Sequence, residues 1–183
     1  MLDFAAVRNN IQAGLQAYLR EAYDGILVVF VNPEAPEPPQ PYITMNFTSL
    51  YIPEPGRAPE FEEIVPYDPS RWGHDPPKDF ESDVRITRRS NDEMVCSFTV
   101  HAADRDQSHA IGLAAIRWFE VDGYGWLKNR GIIPAEIMAL TSRDAYLIDA
   151  WQRRVGFDVR FRVTSSIARY SDTIETADIQ RKE

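Results

Sequence analysis

Twelve of the chain's thirteen prolines fall between Pro33 and Pro77, and this clustering limits the fold more than any other feature. Proline has no N–H to donate and its ring clashes with the preceding helical turn, so no helix passes through this stretch. Helices are confined to the flanks, and the middle must be turn, strand or extended arm. Few apolar side chains accompany the prolines after Ile52. Between Glu54 and Asp83 there are nine acidic residues against Arg57, Arg71 and Lys78, so this part carries −6 of the total charge of −8. Four isolated aromatics, Phe61, Tyr67, Trp72 and Phe80, punctuate it. Proline-rich segments hold an extended form at low entropic cost. The pattern therefore predicts an acidic arm over about 53–83 whose aromatics dock on something, with a mobile surface loop as the alternative.

The flanks alternate between helical and strand periodicity. Phe4, Val7, Ile11, Leu15, Tyr18 and Ala22 recur every three or four residues, which predicts a helix over roughly 3–22 capped by Asp3 and stopped by Asp24-Gly25. Ile26 to Val31 reads as a strand buried on both faces, and Tyr42 to Thr48 as a second strand antiparallel to it across a proline-rich turn. Val84–Thr87 and Met94–Val100 follow, the latter with Met94, Cys96, Phe98 and Val100 on one face. Ile111, Ala114, Ala115, Trp118, Phe119 and Val121 form the apolar face of a helix from about Gln107. A short helical piece at Trp126-Leu127-Lys128 ends at Gly131. A strand is expected over Ile137–Ser142 and a last one over Phe157–Val163, with a polar C-terminal tail over 166–183. The expected architecture is α+β: a mostly antiparallel sheet backed by two helices, with the long Pro-rich acidic arm inserted between strands. At 183 residues this is one domain, over 1–165, plus the tail.

Composition excludes several functions. A net charge of −8 and a pI near 4.9 argue against a free-standing nucleic-acid binder, whose affinity rests on basic residues displacing counterions. The longest apolar run is six residues, against the ~20 that a helix needs to span a bilayer, so no membrane partner is expected. Met1-Leu2-Asp3-Phe4 lacks a basic region followed by an apolar stretch, and the chain is expected to stay where it is made. A single cysteine, Cys96, excludes an internal disulfide and reads as a buried strand thiol.

Chemistry-bearing residues are few. His101, Asp104, Asp106 and His109 fall within nine residues and suggest a divalent-metal site, the basis of an alternative reading as a small metal-dependent hydrolase. The competing reading is that Asp104, three residues before Gln107, caps the following helix, where free N–H groups and the dipole favour a carboxylate. The capping reading is preferred, so no metal, catalytic residue or cofactor is assigned. Cys96 and His101 lie five apart on one strand and face opposite sides, which disfavours a thiol nucleophile. No G-x-S-x-G, H-E-x-x-H or phosphate-loop motif occurs. On the last strand Arg160 and Arg162 project away from the apolar face, with Arg153 and Arg154 just upstream. This basic stripe is either a solvated sheet face or a surface that meets an acidic arm or phosphate.

An N-terminal amphipathic helix, an Ile/Val-rich strand, the turn Pro36 to Met45 (P-x-P-P-x-P-Y-I-T-M) and the Met94–Val100 strand leading into Asp104 come in a distinctive order. Trp126-Leu127 before Gly131-Ile132, and Trp151-x-Arg153-x-x-x-Phe157-Asp158-Val159, complete the set. Over about residues 1–165 it resembles neck or tail terminator (tail completion) proteins of long-tailed bacteriophages, and the Glu54–Asp83 arm departs most from a minimal member. The resemblance implies a non-catalytic virion protein of the tail-neck junction, assembled in the host bacterial cytoplasm. It implies a homo-oligomer, a hexameric ring that caps the tail tube protein and joins it to the head connector, stopper or neck protein. Genomic DNA would pass through the lumen without sequence-specific binding. Arg153, Arg160 and Arg162 would lie on a subunit interface or the lumen. A monomeric protein-binding module is the remaining alternative.

Overall fold

The computed structural model describes residues 3–32, 34–56, 58–71, 82–147 and 150–172. Helix α1 (Phe4–Arg20) starts at Asp3, whose carboxylate accepts from the Ala6 N–H at 3.0 Å. Its buried stripe is Val7, Ile11, Leu15 and Leu19, while Phe4 stays exposed. Strand β1 (Leu27–Phe30) pairs with β2 (Tyr42–Ile52) in parallel, not as the antiparallel hairpin expected from the sequence. A tight turn reverses the chain, whereas residues 31–41 are long enough to carry it back past the whole of a four-residue strand, so β2 starts level with β1 (Leu27 beside Tyr42). Nor is β1 buried on both faces. It is an edge strand in which Val28 is buried and Leu27, Val29 and Phe30 are half-buried.

The arm contains a strand that periodicity did not reveal: β3 (Glu60–Pro66) pairs antiparallel with the first half of β4 (Ser82–Ala102). The two expected strands at Val84–Thr87 and Met94–Val100 are thus one, since backbone pairing continues through the polar Arg88–Asp92 stretch that has no hydrophobic alternation. Helix α2 (Arg105–Arg117) continues as a π-helical turn (Trp118–Asp122) that buries Trp118 and Phe119 but leaves Val121 exposed. Helix α3 (Tyr124–Lys128) follows. Gly131, at φ +71°, turns the chain directly into β5 (Ile132–Ile137), earlier than the Ile137–Ser142 strand expected, of which only the short β6 (Thr141–Ser142) forms. Strands β7 (Ala145–Leu147) and β8 (Ala150–Asp172) complete the chain, β8 running past the point where apolar alternation fades.

The sheet order is β1-β2-β4-β8-β5, with β3 on β4 and both β6 and β7 on β8. β1–β2 is parallel, β2–β4, β3–β4, β5–β8, β6–β8 and β7–β8 are antiparallel, and the architecture is the expected α+β.

Two compact units result. The larger, Leu2–Glu54 with Asn91–Thr164, holds the hydrophobic core: Phe98, Phe119, Phe157 and Phe161 are fully buried with ring centroids 5.1–6.2 Å apart, packed with the α1 stripe. Each such ring is worth about 3–5 kcal/mol against truncation to alanine. The smaller unit comprises the described parts of Pro55–Ser90 and Ser165–Glu183.

Candidate assembly surfaces

Strand alternation divides β8 of the larger unit into two sets. Val155, Phe157, Val159, Phe161 and Val163 point into the core, which leaves Arg154, Asp158, Arg160 and Arg162 on the opposite face. The same face of β4 carries Glu93, Ser97, Thr99 and His101, between the buried Met94, Cys96, Phe98 and Val100. The arginines are paired within the chain: Arg160 with Glu136 on β5 at 3.4 Å, and Arg162 with Glu93 at 3.0 Å. Arg153 has the parity of the core residues, not that of Arg160, and bonds Asp144 at 3.3 Å. Asp144 also accepts from Arg105 at 3.0 Å and from the Arg154 backbone N–H at 2.9 Å, and that backbone bond leads the causes that hold its carboxyl down to about 2.

Arg143, which nothing in the periodicity singled out, is the centre of this face. Its guanidinium donates to Ser97 Oγ at 2.7 Å, Thr99 Oγ1 at 3.1 Å and Asp158 Oδ1 at 2.9 Å. Burial pushes the Asp158 carboxyl up, but hydrogen bonds from Ser97 and Arg143 and the Arg143 charge outweigh it and hold it below the ordinary carboxylate range. The side chain lies flat over Gly156, where a Cβ would stand 2.5 Å from Arg143 Nε. A glycine opposite a turn arginine is a signal that sequence reading could have used.

At one end of the face Tyr42 and His101 stack with centroids 4.4 Å apart, and the Tyr42 hydroxyl donates to Glu37 at 2.5 Å. His101 Nε2 lies 3.2 Å from Thr44 Oγ1, and its Nδ1 is buried with no hydrogen-bond partner among the described residues. Burial, with the Arg154 charge adding, holds the imidazole down at about 4, so it is neutral at ordinary pH.

The sequence cluster His101, Asp104, Asp106 and His109 does not converge. Asp104 caps α2 and accepts from the Gln107 N–H at 3.1 Å, while Asp106 and His109 are exposed on that helix. Among the described residues no three His, Cys, Asp or Glu side chains are grouped to hold a metal ion. Cys96 is buried, which pushes its thiol up.

Among its described residues the smaller unit buries little apolar material. In register, Ile64 stands beside Val84 and Glu62 beside Ile86, giving one face an apolar patch on which Ile64 is 74% exposed. The other face is tied down by Arg71, which bonds Asp83 at 3.3 Å and the Pro66 carbonyl at 3.2 Å and lies over the Tyr170 ring at 4.4 Å. Phe61 is 53% exposed with Arg89 over its ring, and Arg85 pairs with Glu63. Ile167, 56% exposed, follows Ser165, whose Oγ is 2.8 Å from that of Ser90. The only buried hydrophobic residue of this unit, among those described, is Ala58. Of the arm aromatics, Phe61 is exposed and Tyr67 half-buried, while Trp72 and Phe80 lie outside the described residues.

A family model described as "phage neck terminator protein" matches residues 9–182. No curated protein matches the chain.

Proposed function

This chain belongs to the phage neck terminator family, a family of structural virion proteins, and from that premise we propose that it forms the ring that caps the tail tube and joins it to the head connector. The ring is a hexamer of identical subunits assembled in the host cytoplasm, with the tail tube protein on one side and a connector, stopper or neck protein on the other. DNA passes through its lumen without sequence-specific contact. The arm reaches the next subunit.

The observation that supports the arm's role is how little apolar surface its described residues bury. A small sheet needs a covered hydrophobic face to be stable, and here Phe61, Ile64 and Ile167 are exposed while Ala58 alone is buried among the unit's described apolar residues. A neighbouring subunit supplies the missing cover, with Phe61, Tyr67, Trp72 and Phe80 as contacts. Ring closure is heterologous, so the arm must fit a different patch on the next copy. The half-exposed Arg160 and Arg162, with Arg153 on the other face of the strand, serve that interface or the lumen. Their pairs with Glu136, Glu93 and Asp144 do not preclude this, because exposed ion pairs contribute only ~0–1 kcal/mol and exchange readily for a partner's carboxylate.

Negative-stain electron microscopy of the protein with its tail tube protein tests the reading. Six-fold rings or capped tubes are expected from the wild-type chain, and neither from a variant lacking Glu54–Asp79, whose larger unit should still melt cooperatively. Arg160→Gln with Arg162→Gln should weaken ring formation without the repulsion that Glu would meet at Glu136 and Glu93. Rings that persist in both variants would refute the assignment of these surfaces. Wild-type particles that neither form rings nor touch tubes would point to a monomeric binding module.

A further inference from the structure

The free edge of β1 is occupied by side chains of α1. Along a strand the N–H and C=O of one residue point to the same side, and successive residues alternate. Val31 donates to Met45 on β2 at 3.0 Å, so the odd positions face β2 and Ile26, Val28 and Phe30 face outward. Both outward groups of Val28 and the outward carbonyl of Ile26 have partners on one stripe of the helix, while the Ile26 N–H donates to the Tyr23 carbonyl. Gln16 Oε1 accepts from the Val28 N–H at 2.9 Å, Gln12 Nε2 donates to the Val28 carbonyl at 2.7 Å, and Arg20 Nε donates to the Ile26 carbonyl at 3.2 Å. Arg8 continues the stripe with its guanidinium over the Phe30 ring at 5.4 Å. Positions 8, 12, 16 and 20 recur every four residues and lie on one face of a helix. The primary amides of Gln12 and Gln16 thus stand where the backbone of a further strand would stand.

We infer that this stripe is an autoinhibitory cap, which stops a strand of a second copy of this chain from adding to β1. An edge strand offers unpaired N–H and C=O groups that template further pairing unless something covers them. The sheet ends in β1 on one side and β5 on the other. Pairing β5 of one copy with β1 of the next would be heterologous, and such contacts run on into an open filament when the rotation does not close. A protein that works at high local concentration of itself gains from closing one edge with its own side chains. The capping residues lie on α1 and β1 alone, so the inference stands independently of the arm and arginine surfaces.

Hydrogen exchange and light scattering on the full chain test it. In the wild type the Val28 amide should exchange slowly. In Gln12→Leu/Gln16→Leu it should exchange roughly tenfold faster at low concentration, the loss of about one hydrogen bond. As concentration rises the double variant should form assemblies larger than any the wild type forms, in which Val28 is protected again. Gln16→Glu, which keeps an acceptor, should behave as wild type. If the double variant does not fold, Gln16→Leu alone decides by the same two readouts. A folded Leu variant that keeps the wild-type mass at every concentration would overturn the inference, as would a wild-type Val28 amide that exchanges without protection.

Discussion

Replacing His101 by Phe should remove a specific acid sensitivity from this fold. The ring is buried against Tyr42, its Nδ1 has no hydrogen-bond partner among the described residues, and its pKa falls from 6.5 to about 4 because burial and the Arg154 charge disfavour the cation. Above the unfolded value both states are neutral and pH has no leverage through this group. Between 6.5 and about 4 the unfolded chain binds a proton that the folded chain refuses, so stability falls as pH falls. Each pH unit in that window costs about 1.4 kcal/mol, and a descent from about pH 7 to about pH 4.5 costs ~2–3 kcal/mol through His101 alone. Phenylalanine keeps the stack on Tyr42 but cannot titrate, and it gives up the Thr44 hydrogen bond, worth about 1 kcal/mol. Urea denaturation of both proteins across this range isolates the effect, because the carboxylates titrate alike in each. The variant should start about 1 kcal/mol less stable near neutrality and should match or exceed the wild type at about pH 4.5. Parallel stability curves for the two proteins would refute the reasoning.

Two further outcomes are expected. Gly156→Ala should destabilise by about 1–3 kcal/mol by thermal melting, because the new methyl displaces the Arg143 guanidinium from Ser97, Thr99 and Asp158. Combining it with Arg143→Ala should cost less than the sum of the two single changes, and full additivity would show that the clash is absent. Asp104→Ala should lower stability by about 0.5–2 kcal/mol through loss of the α2 cap, with Asp104→Asn retaining most of it. Unfolding in denaturant followed by circular dichroism measures both.

Legibility in the sequence followed the reach of the forces involved. The α1 stripe, the caps at Asp3 and Asp104 and the turn at Gly131 depend on neighbours a few residues away, and spacing alone exposes them. The same holds for Phe157 to Val163, where burial of one face imposes period two. Strand β3 leaves no periodic signal in the sequence because it has no buried face to impose one. It is held by backbone pairing with β4, which is indifferent to side-chain polarity. The basic stripe is legible as alternation for Arg160 and Arg162, but Arg153 lies near them only along the chain, and parity sets it on the other face.

By itself, then, the sequence determined where α-helices could not go, the buried stripes of α1, β4 and β8, and that the fold is α+β, since proline geometry and hydrophobic periodicity are local properties. Tertiary structure alone decided that β1 runs parallel to β2, that Arg143 gathers Ser97, Thr99 and Asp158, and that two glutamines of α1 close the β1 edge. Each of these joins groups distant along the chain, whose meeting depends on the path of the whole backbone.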